Sequence, residues 1–379
     1  TLESGDLDGI CDPTGRGPMP LGWGASAATF LPLWMRHEDG RPWFGDARRV
    51  LADVLSRFHR RNWQPVLATE IEFHLVDPNA MRATPILPVH PTHLGSRDQI
   101  YSLAELDAIA PFLNDVHAAA ADCGVALDAT ISESGPAQFE INLNHGDALR
   151  IADDTVILKQ ILRNTARRHG HAATFMAKPY PDNSGNGMHV HFSLTDAEGG
   201  NLFDDGGPAG TALMRHAVAG LIDAMPDCAA IFAPHANSYR RLCPGSLAPT
   251  TATWGYENRT AALRIPGGPN GARRIEHRVS GADANPYLVI AAILAAALDG
   301  IEAAAEPPAP VVGNAYVQDA RSLPSGWRNA VEAFAASPVV ARLFPLEFAA
   351  TFVACKRQEI SVFDRDISDF EFATYLHKA

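Results

Sequence analysis

The sequence predicts an α+β protein: a small β-rich N-terminal piece, then a large domain in which helices back a sheet. Three observations lead there. Four separated segments alternate polar and apolar residues with a period of two, the signature of strands with one buried face. Between them lie longer stretches with apolar residues at helical spacing. The first 45 residues are instead rich in Gly and Pro, with only short strand-like pieces.

In chain order, residues 1–45 read as part of a small β domain. Ala28 to Met35 is strand-like, and Asp39-Gly40 is a hairpin turn. Ala47 to Arg61 is an amphipathic helix with Val50, Val54, Leu55 and Phe58 on one side. A strand follows near Val66 to Val76, then a Pro-rich connection over 78–101. Leu103 to Cys123 reads as a helix broken near Pro111 and stopped at Gly124. Strands are expected near Val125 to Glu133 and over Gln138 to Asn144, with SGPA turning between them. Asp147 to His169 is a strong helix, acidic early and basic late as the helix dipole favours. Met188 to Leu194 is the next strand, preceded by a Gly/Asn-rich loop, Asp182 to Gly187. Gly199 to Gly210 is a loop, Ala212 to Met225 a helix, and Asn237 to Trp254 a second loop. A strand around Glu276 leads to a long Ala/Leu/Ile helix, Asn285 to Ala305, ended by a PPAP linker. Residues 325–379 read as helical.

The polar faces of the four alternating segments carry the chemistry. Glu70, Glu72 and His74 oppose Ile71, Phe73 and Leu75; Gln138, Glu140, Asn142 and Asn144 oppose Phe139, Ile141 and Leu143. His189, His191 and Ser193 oppose Met188, Val190, Phe192 and Leu194; Arg274, Glu276 and Arg278 oppose Ile275, His277 and Val279. An ordinary solvated face favours Thr, Lys and mixed polar residues. Repeated Glu with His describes instead a sheet lining a wet, ion-binding cavity. Glu70, Glu72, Glu133, Glu140, Glu276 and His189 together supply five carboxylates and an imidazole. Such a set is stable only if cations neutralise it, and Mg²⁺ or Mn²⁺ suits those ligands. Arg241, Arg259, Arg264 and Arg278 add guanidiniums for carboxylate and phosphate. Metals with arginines form a phosphoryl-transfer clamp, and no P-loop motif is present.

Composition limits the alternatives. With 379 residues and 46% hydrophobic content, a sizeable core is expected. A net charge of -12 argues against a general nucleic-acid or membrane-surface binder. The five cysteines are scattered without C-x-x-C, which fits a reduced, cytoplasmic protein. The longest apolar run, Leu288 to Leu298, is too short for a bilayer. No signal peptide is legible, and with Thr at position 1 residues upstream are expected to be missing.

From about Asp39 onward the chain resembles the glutamine synthetase family. The resemblance rests on Glu70-x-Glu72, ESGPAQFE, ATFMAKP, GNGMHVHFSL, NSYRRLCPG, NRTAALRIP, and ARRIEHR followed by NPYL, in that order. NLNHGD after Glu140, and KRQEISVF near the end, are most similar to the γ-glutamylpolyamine synthetase and glutamate–amine ligase branch. The resemblance implies a glutamine synthetase fold, with a partial N-terminal β-grasp domain (1–45) and a catalytic domain (46–379) whose curved sheet is mainly antiparallel. It implies an ATP-dependent ligase that phosphorylates the glutamate side chain and lets an amine displace phosphate. It implies two to three Mg²⁺ or Mn²⁺ ions per site and a double-ring dodecamer.

Residue by residue, the resemblance gives Glu72, Glu133 and Glu140 to one ion, and Glu70, His189 and Glu276 to a second against the ATP phosphates. Arg241, Arg278 and Gly185 match glutamate-binding positions. Arg259 and Arg264 match contacts to the transferring and leaving phosphates, His191 lies near the nucleotide phosphates, and Ser193 near the adenine. Arg259, Arg278 and Glu276 are the catalytic candidates. Two departures bear on the substrate. Where ammonia-using members carry a Glu, this chain has Leu247, preceded by Ser246, and Leu can neither attract a cation nor accept a proton. The loop Asn before Gly185 is Ser184, with Asn183 adjacent. The expected acceptor is therefore a polyamine or another organic amine. Ordinary glutamine synthetase using ammonia remains an alternative, as does a non-catalytic scaffold or nucleotide sensor. Asp8 and Asp12 are weak candidates for the acid that completes a neighbouring subunit's site. Tyr316 lies roughly where some relatives are adenylylated, but its context differs and no modification is expected.

Overall fold

The structure, a computed structural model, describes residues 9–21, 28–86 and 100–378. Near the N-terminus, β1 (Gly9–Pro13), β2 (Met19–Pro20), β3 (Thr29–Phe30) and β4 (Leu33–His37) form two small antiparallel pairs, β1 with β4 and β2 with β3. The strand expected over Ala28 to Met35 is thus split, interrupted at Leu31-Pro32, where Pro has no N–H for a ladder. Gly40 makes the expected turn, its N–H bonding His37 O at 2.9 Å.

The large domain holds α1 (Ala47–His59), β5 (Gln64–Val76), α2 (Leu103–Ala108), α3 (Ala110–Asp122), β6 (Leu127–Ser132), β7 (Gln138–Leu143), β8 (Gly146–Asp147), α4 (Ala148–Arg168), β9 (Ala172–Thr174), β10 (Met188–Thr195), α5 (Ala212–Ala224) and α6 (Ala229–Phe232). Then come β11 (Trp254–Tyr256), β12 (Leu263–Ile265), β13 (Ile275–His277), α7 (Pro286–Glu302), α8 (Trp327–Ala336), α9 (Pro338–Leu343), α10 (Leu346–Phe363) and α11 (Asp369–Tyr375). Strands β11-β12-β13-β10-β5-β7-β6 lie side by side, and β8 and β9 also pair with β5. Every pairing is antiparallel except β11 with β12.

One face of this sheet is core. Leu67, Ile71, Phe73, Phe139, Ile141, Val190 and Ile275 are fully buried; α4 and α1 pack against the sheet, and α7 packs on those two helices. The Phe73 ring meets those of Phe112, Phe139 and Phe175 at centroid distances of 6.0 to 6.5 Å; each such side chain contributes roughly 1.5–3 kcal/mol through burial. Helices α5 and α7 approach so closely that a Cβ on Gly220 would stand 2.1 Å from Ala296 O. Local chemistry sets the helix starts: Asp46 caps α1, Asp147 caps α4, and Asn285 caps α7 with Pro286 at the first position.

Some boundaries differ from expectation. The Leu103 to Cys123 stretch is two helices meeting at Ile109, with Pro111 in the first turn of the second, where its missing N–H costs nothing. Helix α7 ends at Glu302 rather than Ala305, because Ala304 turns left-handed (φ 48°) and Ala305 N bonds back to Gly300 O. The loop expected from Asn237 begins inside a 3₁₀ turn, Ala236–Arg240. The 78–101 connection is described only at its two ends.

Arg16 and Arg48 tie the small β pairs to the large domain. Arg48 grips Asp153 with two bonds of 2.7 and 2.9 Å, and its guanidinium lies 4.3 Å over the Trp34 ring. Arg16 pairs with Asp154.

Candidate active site

Strand register builds the site. Antiparallel pairing sets Glu70 opposite His189, Glu72 opposite Glu140, and Glu276 opposite both His191 and Arg264. Directly opposed residues have Cβ atoms about 4.5–5.5 Å apart, so residues distant in sequence meet on one face. A slip of one residue would turn every one of them into the core.

Two groups of ligand atoms result, each lying within 4.8 Å: Glu70, His189 and Glu276, and Glu72, Glu140 and His189. The first is the trio that the resemblance implies for one ion. In the second, His189 stands where Glu133 was expected. Glu133 sits just beyond, close enough for the Glu72 and Glu70 charges to act on its carboxyl.

The electrostatics show what the arrangement requires. Burial first, then the Glu70 and Glu72 charges, push the Glu140 carboxyl up to about 9. Burial and the Glu72 charge push Glu133 up to about 7. Glu70 runs the other way. Burial would raise it, but hydrogen bonds from His189 (2.9 Å) and His191 (2.8 Å) hold it far below the usual carboxylate range. Glu276 is likewise buried, yet Arg278, His191 and His189 hold it down to about 2. Opposed like charges on neighbouring strands are destabilising unless something neutralises them. The donor set of carboxylates with one imidazole, held at coordinating distances, fits hard divalent cations.

Arginines close the other side. Arg278 bonds Glu276 Oε1 at 2.5 Å, and Arg264 bonds Glu276 Oε2 at 2.8 Å. Arg241 is buried, and its guanidinium donates to the backbone oxygens of Val279 (2.9 Å) and Arg278 (3.4 Å). No carboxylate pairs with it among the described residues, so a buried cation stands ready for an anionic ligand. Gly185 lies against it: a Cβ there would be 2.3 Å from Ala177 O and 3.0 Å from Arg241 Cγ. Arg259 is exposed, and its charge acts on Glu133.

Beside the cation groups opens a cavity of about 850 Å³, lined by Glu70, Asn142, His145, His191, Ser193 and Arg274 among others. Glu70 and His191 face it, so cavity and cation site share a wall. Arg274 Nε donates to His191 Nδ1 at 3.2 Å; the imidazole proton therefore sits on Nε2, aimed at Glu70.

The sequence reading left several residues without a role. The Gly187 N–H donates to Glu72 Oε2 at 2.5 Å, a backbone contact that residue identity does not announce. Arg274 and Asn142 were marked by their place on the polar faces. His145 on the cavity wall had only its place after Asn144 as a signal. His277 is on the apolar side as expected, buried against Phe232 with its pKa depressed by burial to about 3. Ser184 Oγ lies 2.8 Å from Ser134 Oγ, joining the two loops beside the site. Asp12 is paired with Arg36 across the β1–β4 pair, and Asp8 lies outside the described residues. Tyr316 OH donates to Ala248 O at 3.0 Å.

Residues 44–375 match the glutamine synthetase catalytic domain. This chain belongs to the glutamine synthetase family. It is 37% identical to γ-glutamylputrescine synthetase PuuA of Escherichia coli, over 100% of this chain and 81% of that one. It is 33% identical to glutamate–isopropylamine ligase of a Pseudomonas species, over 90% and 76%. Among solved structures it is similar to a GmaS/ADP complex, at 32% identity and a TM-score of 0.87, covering 97% of this chain and 85% of that one. As a member of this family the chain is an ATP-dependent carbon–nitrogen ligase.

Proposed function

We propose that this protein joins glutamate to an organic amine, forming a γ-glutamyl amide through γ-glutamyl phosphate at the expense of ATP. The observation that carries the ligase chemistry is the wall shared between cavity and cation groups. Glu70 and His191 serve both, so a triphosphate in the cavity would meet the carboxylate cluster end-on. Divalent cations held by Glu70, His189 and Glu276, and by Glu72 and Glu140 with Glu133 beside them, would supply charge neutralisation for phosphate and carboxylate.

The chain's own residues do the rest. Arg241, buried and without a carboxylate partner, holds a substrate carboxylate, its stem packed against the backbone that Gly185 lets come close. Arg278 and Arg264 are fixed beside the cation groups by Glu276. Arg259, exposed, meets the phosphoryl oxygens as charge moves onto them. His191 and Ser193 line the nucleotide cavity.

The acceptor follows from Leu247. It is 53% exposed, in the left-handed region at φ 58°, and its carbonyl accepts from Arg278 Nη2 at 3.4 Å. A branched apolar side chain at the rim offers free ammonium no counter-charge but covers the methylenes of an alkylamine. Relatives that act on putrescine or isopropylamine agree with this class.

The test is phosphate release from MgATP and glutamate with putrescine, ethanolamine, isopropylamine or ammonia. Release with an organic amine well above that with ammonia is expected. Ammonia as the best acceptor would return the ordinary glutamine synthetase reading, and no release with any amine would leave the non-catalytic one.

The proposal extends to Mg²⁺ or Mn²⁺ as the ions, two to three per site as the family implies, and to a domain boundary near residue 45. It extends to a cytoplasmic double-ring dodecamer, for which mass photometry gives the subunit count. Among the described residues all five cysteines are free thiols, and no helix is long and apolar enough to cross a membrane.

A further inference from the structure

His74 ends the polar face of β5, two residues after Glu72, and is fully buried. Its Nδ1 lies 2.8 Å from Asn186 Oδ1. The Asn186 amide has a settled orientation, because Nδ2 donates to Met176 O at 2.9 Å and to Thr174 O at 3.4 Å. Oδ1 is therefore the acceptor, and the His74 proton sits on Nδ1. Gln138 completes the knot. Its Nε2 donates to Asn186 Oδ1 (3.2 Å) and to Gly185 O (2.9 Å), and its Oε1 accepts from Gly135 N (2.9 Å).

These bonds tie three segments together: the end of β5, the turn after Glu133, and the loop Asn183 to Gly187. The neighbours of Asn186 are the residues that matter to the site. Gly187 N–H holds Glu72, and Gly185 seats Arg241. The strand itself does not need an imidazole here, since an apolar side chain would fill the same buried position. What the imidazole adds is one directed donor, and with it a fixed separation between the Glu72 carboxylate and the Arg241 pocket.

We propose that His74 is a positioning residue for the glutamate-side half of the site, acting through Asn186 to set the loop that holds Glu72 and seats Arg241. This rests on the assignment of that half proposed above. It differs from a purely structural role in one way: it must discriminate between the two halves of the site. None of His74, Asn186 and Gln138 is among the residues that wall the nucleotide cavity.

The test uses His74→Leu, which removes the donor, and His74→Gln, whose amide can still donate to Asn186. Three quantities are read: KM for glutamate, KM for ATP, and the affinity of the nucleotide-free protein for Mn²⁺ alone by electron paramagnetic resonance. In His74→Leu the glutamate KM is expected to rise about tenfold and Mn²⁺ affinity to fall about tenfold, with ATP KM within about twofold. His74→Gln is expected to restore most of the loss. If His74→Leu does not accumulate as folded protein, Gln138→Met unties the same loops from the other side and must show the same split. Glutamate KM and Mn²⁺ affinity both unchanged, or glutamate and ATP KM rising by one common factor, would overturn the proposal. Glu72→Gln is the control on the site itself. If that variant also leaves Mn²⁺ affinity and glutamate KM untouched, the assignment of this half fails and the role of His74 falls with it.

Discussion

Glu276 and Leu247 are linked by one side chain, Arg278, which bonds the carboxylate with one arm and the Leu247 carbonyl with the other. The two ends differ in every physical respect. Glu276 is 1% exposed, on a strand paired along both edges, with His191 and Arg264 opposite it by register. Leu247 is 53% exposed, on a loop between Pro244 and Pro249, in a backbone region that an unbranched-at-Cβ but bulky residue enters only at a cost of roughly 1–2 kcal/mol. Strands hold groups whose spacing must not change, because the ladder that places them also holds the core. On the proposed function, a loop holds the group that selects the acceptor, because its side chain can change without moving the ladder. That reading makes chemistry and specificity separable in this molecule.

The sharpest way to break that separation is Glu276→Gln. It removes the charge that pairs with Arg264, Arg278 and the ligand group, and amine-dependent phosphate release should fall by about 10²-fold or more, with loss of Mn²⁺ binding. A smaller effect would mean that the sheet face is not the reacting floor. Next comes Leu247→Glu. A carboxylate at the rim should move the ratio of kcat/KM for ammonia over putrescine by about 10- to 100-fold towards ammonia, while Mn²⁺ affinity stays put. If both acceptors lose equally, floor and rim are not independent.

Gly185→Ala tests the seat between them. The added Cβ meets Ala177 O, which is backbone and cannot yield cheaply, so about 1–3 kcal/mol of stability should be lost, with a raised glutamate KM. Calorimetry and steady-state kinetics read these together. The smallest effect is expected beneath the floor, at Lys159. Its ammonium donates to Ala282 O at 2.6 Å, and burial lowers its pKa from 10.5 to about 8. The folded state thus disfavours the charged form. That penalty is full below pH 8, fades as pH rises from 8 to 10.5, and is gone above 10.5. Relative to Lys159→Met, the parent should therefore gain Tm between pH 7 and 9, by the equivalent of about 1 kcal/mol. A constant difference across that range would show that the ammonium is not desolvated.

How far the sequence could be read differs between these regions. The polar faces of β5, β7, β10 and β13 were legible from period-two alternation, because a pleated strand has no choice about which side its next residue takes. Helix starts were legible where Asp46, Asp147 and Asn285 stand before helical patterns. The ends were less so. Ala304 entered a left-handed turn that no Gly announced, and Ala28 to Met35 was divided by a Pro whose effect depends on which neighbour needed its N–H. His74 illustrates the limit best. Alternation put it on the polar face, but its partner, Asn186, lies across the fold.

The order of residues along this chain determined which side chains could share a face, which segments could be helix or strand, and through a set of ordered motifs the family. Only the folded sheet decided who stands opposite whom. It placed His189 between both ligand groups and left Glu133 beside them. It made Gly187 a donor to Glu72, and it turned Glu70 and Glu140 into carboxyls driven in opposite directions. The reason is that alternation is a property of one strand, whereas register, burial and charge–charge distance belong to pairs that the linear order leaves far apart.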